Sequence, residues 1–410
     1  MIAFFRAIAD GLGRVRDPSI RVVYATILML GVAYGLAVSV VSLFLESRGL
    51  GKESIGSLAI FFAGGIALGS LPAGALVRRF TPKKVLIASL LGYAVAVSLF
   101  PYGSGYPAFA VARFFDGFFS VGVWVSSETV LLARAPREDK AFFTSLYAIS
   151  LAAGYVVGPI VAWAFVPLFG KVASFFTAAG FALLALTIVV AKLSGEAAEE
   201  DETDAANESK TSLGALTILR RIRASCFATF SYGYFQASVV LFLPLFLIQR
   251  GMPERETYIV PAPFAAGMLV FSNVAARLAD RYGHVAVMRA LGLVGTVAIS
   301  SFLLFRGSVP IYIIVFVAGA SLASVSPVSL ALQGLVIPKR DLPRAGGFYN
   351  GAYALGMLVG PPISGALFQR VSGSAMVLHF AILWILFVVA TVFWRKDDPR
   401  LSHAAPATGA

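Results

Sequence analysis

The chain has 410 residues, of which 58% are hydrophobic and 13% charged, with a mean hydropathy of +0.83. Soluble globular chains carry roughly 25% charged residues, so a soluble enzyme, or a large catalytic domain outside a membrane, is excluded. The net charge of +12 would suit nucleic acid, but about 25 of the 33 Lys and Arg fall in the termini and in alternate connections between apolar runs, which is positive-inside patterning.

At the start, Ile2, Phe5, Ile8, Leu12 and Val15 are spaced among Arg6, Arg14 and Arg16. That spacing predicts an interfacial helix over 1–19 and not a cleaved leader. Apolar runs then predict six spans near 20–45, 54–77, 84–100, 107–133, 141–166 and 172–193. The stretch 194–214 carries Glu196, Glu199, Glu200, Asp201, Glu202, Asp204 and Glu208 and is too polar to pack, so 194–222 reads as a cytoplasmic linker and lead-in. Six more spans follow near 223–248, 256–279, 286–305, 311–337, 345–368 and 374–394, and 395–410 is a tail. The expected architecture is an all-α membrane protein with bundles over 20–193 and 223–394 and both termini cytoplasmic.

Landmarks recur at an offset of 202 residues. Arg48-Gly49 returns as Arg250-Gly251, and Gly74 to Phe80 returns as Ala276 to Tyr282. Pro136 returns as Pro338, and Tyr147 with Gly154-x3-Gly158-Pro159 returns as Tyr349 with Gly356-x3-Gly360-Pro361. One register on both sides of an acidic linker predicts two pseudosymmetric six-helix halves.

Three motifs resemble the major facilitator superfamily. The loop after its second helix reads approximately G-x-L-a-D-R-x-G-R-[KR]. The second-half copy, Leu278-Ala-Asp280-Arg281-Tyr282-Gly283-His284, keeps that pattern, whereas Arg78 and Thr81 replace its Asp and Gly in the first half. Arg113-Phe-Phe-Asp116-Gly117 is similar to the family's fourth-helix pattern, and Gly154 to Pro159 to the G-x-x-x-G-P of its antiporters. The resemblance implies a twelve-helix secondary transporter that works by alternating access in a bacterial inner membrane. The expected activity is proton-coupled export of a small organic or amphipathic molecule. Nutrient symport and lipid or lysolipid translocation are the alternatives.

A charge within hydrocarbon costs several kcal/mol unless paired or hydrated, so intramembrane acids are candidates by default. Arg113 and Asp116, three apart on one helix, are spaced to pair. They serve either as a structural bridge or as a relay in which protonation of Asp116 frees Arg113. Their counterparts 202 residues on are Val315 and Ala318. Glu128, about 18 Å further along the same helix, either takes a proton or cationic substrate or reaches water near Arg134.

Other residues are placed by their spacing. The candidate gate comprises Gly74, Arg78, Arg79, Asp280, Arg281 and Gly283, with Asp280 expected to face the positive N-terminus of the fifth span near Lys140 and Ala141. A solvated loop is the other reading. Gly154, Gly158, Pro159, Gly356, Gly360 and Pro361 are expected to let helices approach closely. Tyr34, Ser39, Trp124, Ser127, Tyr232, Gln236, Ser324, Gln333 and Tyr353 are candidate cavity residues, and aromatic packing is the competing use. His379 is expected to be a peripheral hydrogen-bonding group.

Neither a metal site nor a cofactor is expected. His284, His379 and His403 lack ligand spacing, Cys226 is the one cysteine, and neither a P-loop nor a dinucleotide fingerprint occurs. The expected partners are a small-molecule substrate, protons and the lipid bilayer, with the chain a monomer and no nucleic acid bound.

Overall fold

The computed structural model describes residues 15, 17–136, 140–194, 213–338 and 341–398. Most of the expected interfacial segment, most of the acidic linker and the end of the tail lie outside them. The described residues form α-helices with short 3-10 and π turns, and no strand occurs among them.

In chain order the helices are α1 (Pro18–Ser47), α2 (Lys52–Phe80), α3 (Pro82–Leu99), α4 (Gly105–Arg134) and α5 (Lys140–Lys192). They continue with α6 (Ala215–Arg221), α7 (Arg223–Gln249), α8 (Pro261–Tyr282) and α9 (His284–Ser301). Then come α10 (Ser308–Ala318), a π turn at Gly319–Ala323, α11 (Ser324–Val336), α12 (Leu342–Arg370) and α13 (Gly373–Phe393).

Eleven helical segments among the described residues are long and apolar enough to cross a membrane. One of them lies in α5, whose 53 residues would run about 80 Å if straight. That is more than twice a hydrocarbon core of about 30 Å. Gly170, at φ 79 and ψ 168, leaves helical space and divides α5 between the predicted fifth and sixth spans. Twelve crossing segments result. Outward-facing Leu99, Val297, Ile313 and Phe393 are exposed, which is where apolar side chains belong when hydrocarbon is the solvent.

The backbone repeats as the landmarks do. Positive φ occurs at Gly49 and Gly251, at Thr81 and Gly283, and at Gly105 and Gly307, each pair 202 residues apart. Thr81 is the exception in kind, because its β-branched side chain sits at φ 86, ψ 144, in space that Gly283 takes without penalty. The Thr81 hydroxyl makes no capping bond in return. Thr81→Gly is therefore expected to stabilise the protein by about 1 kcal/mol. The reverse change, Gly283→Thr, strains the turn and puts a Cβ 2.8 Å from Asp398 Oδ2. Thermal unfolding of both purified variants checks the pair, and a lowered midpoint for Thr81→Gly would refute the assignment.

The chain divides into two compact units. The first comprises 1–44 and 60–207, and the second 45–59 and 208–410. In the first unit, a Cβ on Gly31 would strike the Leu151 carbonyl, one on Gly154 the Leu28 carbonyl and one on Gly158 the Val32 carbonyl. In the second unit Gly233 meets the Tyr353 carbonyl, Gly356 that of Phe230 and Gly360 that of Tyr234. Each contact matches its counterpart at the 202-residue offset. Bare backbone on both helices permits this approach, and it holds α1 to α5 and α7 to α12. Pro159 Cδ packs in the same seam against Gly35.

The segment 45–59 belongs to the second unit through specific contacts. Arg370 Nη2 and Nε donate to Glu53 Oε1 and Oε2 at 2.5 and 3.0 Å, and Glu53 N donates to Gln369 Oε1 at 3.0 Å. The Lys52 ammonium bonds Glu46 at 3.0 Å and lies 5.0 Å from the Phe368 ring centre. Gly56 packs on the Pro361 carbonyl and Gly365 on that of Lys52, so a bulkier residue at either place would separate the segments.

Candidate functional site

A second glycine seam prepares the position of the buried charges. A Cβ on Gly65 would fall on the Phe114 carbonyl and one on Gly117 on the Phe62 carbonyl, so α2 and α4 meet backbone to backbone. That approach carries the Phe62 ring over the Arg113 guanidinium at 4.4 Å. Arg113 Nη1 in turn donates to Asp116 Oδ2 at 2.5 Å. Asp116 is 9% exposed, and Ser120 Oγ donates to its backbone carbonyl at 2.6 Å. The guanidinium thus has an aromatic face on one side and a carboxylate on the other, the two partners a buried cation needs.

The same seam recurs in the second unit without the charges. Gly267 meets the Phe316 carbonyl and Gly319 that of Phe264, each 202 residues beyond its counterpart. Buried Val315 and Ala318 stand where Arg113 and Asp116 stand in the first. The scaffold is duplicated, and the ion pair is present once.

Tyr34 and Trp124 belong to an aromatic cluster beyond the pair. The Tyr34 ring centre lies 5.3 Å from Tyr93, 6.0 Å from Trp124 and 6.1 Å from Tyr155. The buried Tyr34 and Tyr93 hydroxyls, Trp124 Nε1 and Ser127 Oγ have no hydrogen-bond partner among the described residues. Buried polar atoms of this kind are normally satisfied by water or ligand. Ser39 is also buried, but its hydroxyl donates to the Gly35 carbonyl at 2.8 Å, within its own helix. Glu128 makes no ion pair among the described residues. Arg134, six residues on and on a different helical face, bonds Asp17 at 3.4 Å and the Ser194 hydroxyl.

In the second unit Tyr353 donates to Gln236 Oε1 at 2.8 Å, and its ring lies 6.0 Å from that of Tyr232. The Tyr232 hydroxyl bonds Met268 Sδ at 3.7 Å. Ser324 Oγ and Gln333 Nε2 are buried without partners among the described residues. His379 bonds Ser364 at 3.3 Å, and its ring centre lies 4.1 Å from that of Phe380 at a tilt of 41°.

The motif loops repeat side-chain detail as well as backbone. Arg79 lies over Phe80 and Arg281 over Tyr282, both at 5.3 Å. Around Gly74 a Cβ would meet only Arg78 Nη1, at 3.8 Å, and Arg78 is exposed. Asp280 is 71% exposed, with His284 Nε2 at 3.9 Å. Below Gly283 the buried Asp398 carboxylate accepts the Val285 N–H at 2.9 Å and caps α9.

A family model described as Major Facilitator Superfamily matches residues 23–310 and 259–410. The chain belongs to that superfamily. An uncharacterized MFS-type transporter of Enterobacter sp. is 22% identical over 380 residues, covering 92% of this chain and 96% of the relative. The benzoate transport protein of Acinetobacter baylyi is 23% identical over 352 residues, covering 76% of this chain and 74% of its own. Among solved structures, a bacterial homologue of the human lysosomal transporter Spinster superposes with a TM-score of 0.78 at 12% identity, covering 93% of this chain and 97% of that one. The nucleoside transporter NupG gives 0.78 at 13% identity, covering 92% and 99%. The solved structures show the MFS fold, and the family match makes the chain a multi-pass membrane transporter.

Within this MFS frame, the site draws on residues with no local signal in the sequence. Phe62, Tyr93 and Tyr155 reach it from α2, α3 and α5. Ser120 was open to detection, since it lies one helical turn beyond Asp116.

Proposed function

We propose that this MFS transporter is a proton-coupled antiporter that exports a small organic or amphipathic molecule from a bacterial cell, with Asp116 as the proton-carrying acid. The observation that carries the reading is the membrane-buried Arg113–Asp116 pair, set in a duplicated scaffold that holds it in one copy. Structural needs shared by both halves are met in the second half by Val315 and Ala318. The charges therefore answer to a requirement of the first half that the second half does not share.

Protonating Asp116 cancels its charge and weakens its hold on Arg113, which keeps the Phe62 ring as partner. Loss of the proton restores the pair. Glu128 is the second acid on the same helix, and Asp280 is proposed as a gating charge. The charge asymmetry supports an inner-membrane orientation with both termini cytoplasmic.

The benzoate-transporting relative favours one competing reading, symport of an organic acid whose carboxylate would meet Arg113. Proteoliposomes separate the two. A panel of organic cations and acids, including tetraphenylphosphonium and benzoate, is offered under an imposed pH gradient. Accumulation with an acidic lumen is the antiport result, and accumulation with an acidic exterior is the symport result. Uptake of a transported compound that ignores both gradients would overturn proton coupling. In the same assay Asp280→Asn is expected to slow transport several-fold without changing the unfolding temperature, and an unchanged rate would remove its gating role.

A further inference from the structure

The lead-in to the second unit carries a basic recess that the transport reading does not use. It encloses about 500 Å³ and is lined by Thr217, Arg220, Arg221, Arg223, Val336 and Asp397. Asp397 is matched within it, since Arg223 Nε and Nη2 hold both its oxygens at 2.7 and 2.8 Å while stacking 5.2 Å from Trp394. Among the described residues, the Arg221 side chain bonds the Val336 carbonyl, at 3.4 Å, and makes no ion pair. Arg220 makes no ion pair among the described residues. The recess therefore holds two guanidinium groups beyond those its own carboxylate neutralises.

The position of α6 says what kind of anion fits. Ile218 and Ile222 are fully buried and pack with Ile337 and Ala345, which fixes the helix against α11 and α12. Leu216 and Leu219 point the other way and are 63% and 36% exposed. Helical spacing places Leu216, Leu219 and Arg220 on one outward face of α6, with the leucines at one edge and the arginine at the other. That face lies beside the first turn of the span α7, where water, headgroups and hydrocarbon meet. An exposed leucine beside arginines that make no ion pair among the described residues matches a molecule with a phosphate at one end and an acyl chain at the other.

The geometry points to a binding site for the phosphate of an anionic phospholipid, held by Arg220, Arg221 and the Thr217 hydroxyl with Leu216 and Leu219 against its acyl chains. The bound headgroup bridges the lead-in helix α6 to the recess wall at Val336 and the start of α7. The first-half positions that correspond to Arg220 and Arg221 are Pro18 and Ser19, neither of them basic.

The test uses the full-length protein in mild detergent, with native mass spectrometry counting bound phosphatidylglycerol against phosphatidylcholine. Wild type is expected to retain phosphatidylglycerol preferentially. The double variant Arg220→Gln/Arg221→Gln should lose that preference by roughly thirtyfold, since each basic group near an anionic lipid surface contributes about 1 kcal/mol, a factor of about five. Arg220→Lys/Arg221→Lys should keep most of it, and Arg306→Gln, beyond the end of α9 that lies away from Asp398, should keep all. Leu216→Ser should weaken phosphatidylglycerol retention while leaving displacement by inorganic phosphate unchanged. Equal retention of the two lipids by wild type, or undiminished preference in the Gln double variant, would overturn the site. Full retention in Leu216→Ser would overturn the apolar half of the site, the contact of Leu216 with the acyl chains. A Gln double variant that elutes as aggregate is replaced by the two single Gln variants, each expected to lose part of the preference, and no loss in either would overturn the site.

Discussion

Asp116→Asn is expected to abolish substrate accumulation driven by a pH gradient while leaving exchange between equal substrate pools intact. The amide keeps the shape of the carboxylate but holds no exchangeable charge, so a cycle that must load and release a proton at this position stops. Exchange needs no net proton movement and continues. The substitution also leaves Arg113 buried with the Phe62 ring and no anion. Removing one partner of a buried pair typically costs about 3–5 kcal/mol, so a lower unfolding temperature should accompany the transport defect. Arg113→Gln/Asp116→Asn removes both charges and should recover most of that stability without recovering accumulation. The two readouts separate a coupling role from a structural one. If the double variant regains both stability and pH-driven accumulation, the pair is a structural bridge. Glu128→Gln is the comparison, because Glu128 lies twelve residues further along α4 and makes no ion pair among the described residues. Full accumulation by Asp116→Asn, Glu128→Gln and their combination would show that neither acid couples transport.

Gly117→Val and Gly319→Val should each reduce the yield of folded protein sharply, with a loss of about 3 kcal/mol or more. A Cβ at either position falls on a neighbouring backbone carbonyl, that of Phe62 or Phe264, and not on a side chain that could rotate away. Relief requires the two helices to separate. Gly180→Val and Gly346→Val are the controls, since a Cβ at either meets nothing within 4 Å. Fluorescence-detected size exclusion and thermal midpoints measure the difference. The two seam variants should part company in transport. Gly117→Val also moves Phe62 off Arg113 and should impair pH-driven accumulation per folded molecule, whereas the Gly319 seam holds no charged pair and its variant should keep the coupling ratio. Gly117→Val behaving like Gly180→Val would dismiss the seam as a packing constraint.

Some of this molecule is determined by local sequence alone. Twelve spans, the 202-residue repeat and the pairing of Arg113 with Asp116 all follow from quantities that neighbouring residues fix: the length of an apolar run, a recurring motif, and an i to i+3 spacing on a helix. The cost of a charge in hydrocarbon then singles out Asp116 before any fold is known. What the tertiary structure decided is which distant residues surround those positions. Phe62, Tyr93 and Tyr155 reach the Arg113 and Tyr34 surroundings from three other helices, and their sequence neighbourhoods resemble those of many packing aromatics. Arg134 bonds Asp17, more than a hundred residues away in the sequence. The close helix approach at glycines 65, 117, 267 and 319 became legible only with their facing carbonyls in place, because a missing side chain carries no signal of what approaches it. The segment 45–59 likewise joined the second unit through Glu53 and Arg370, an ion pair across more than three hundred residues. Periodicity records which face of a helix is apolar, and only close packing of those faces selects the partner helix and the register at which the two meet.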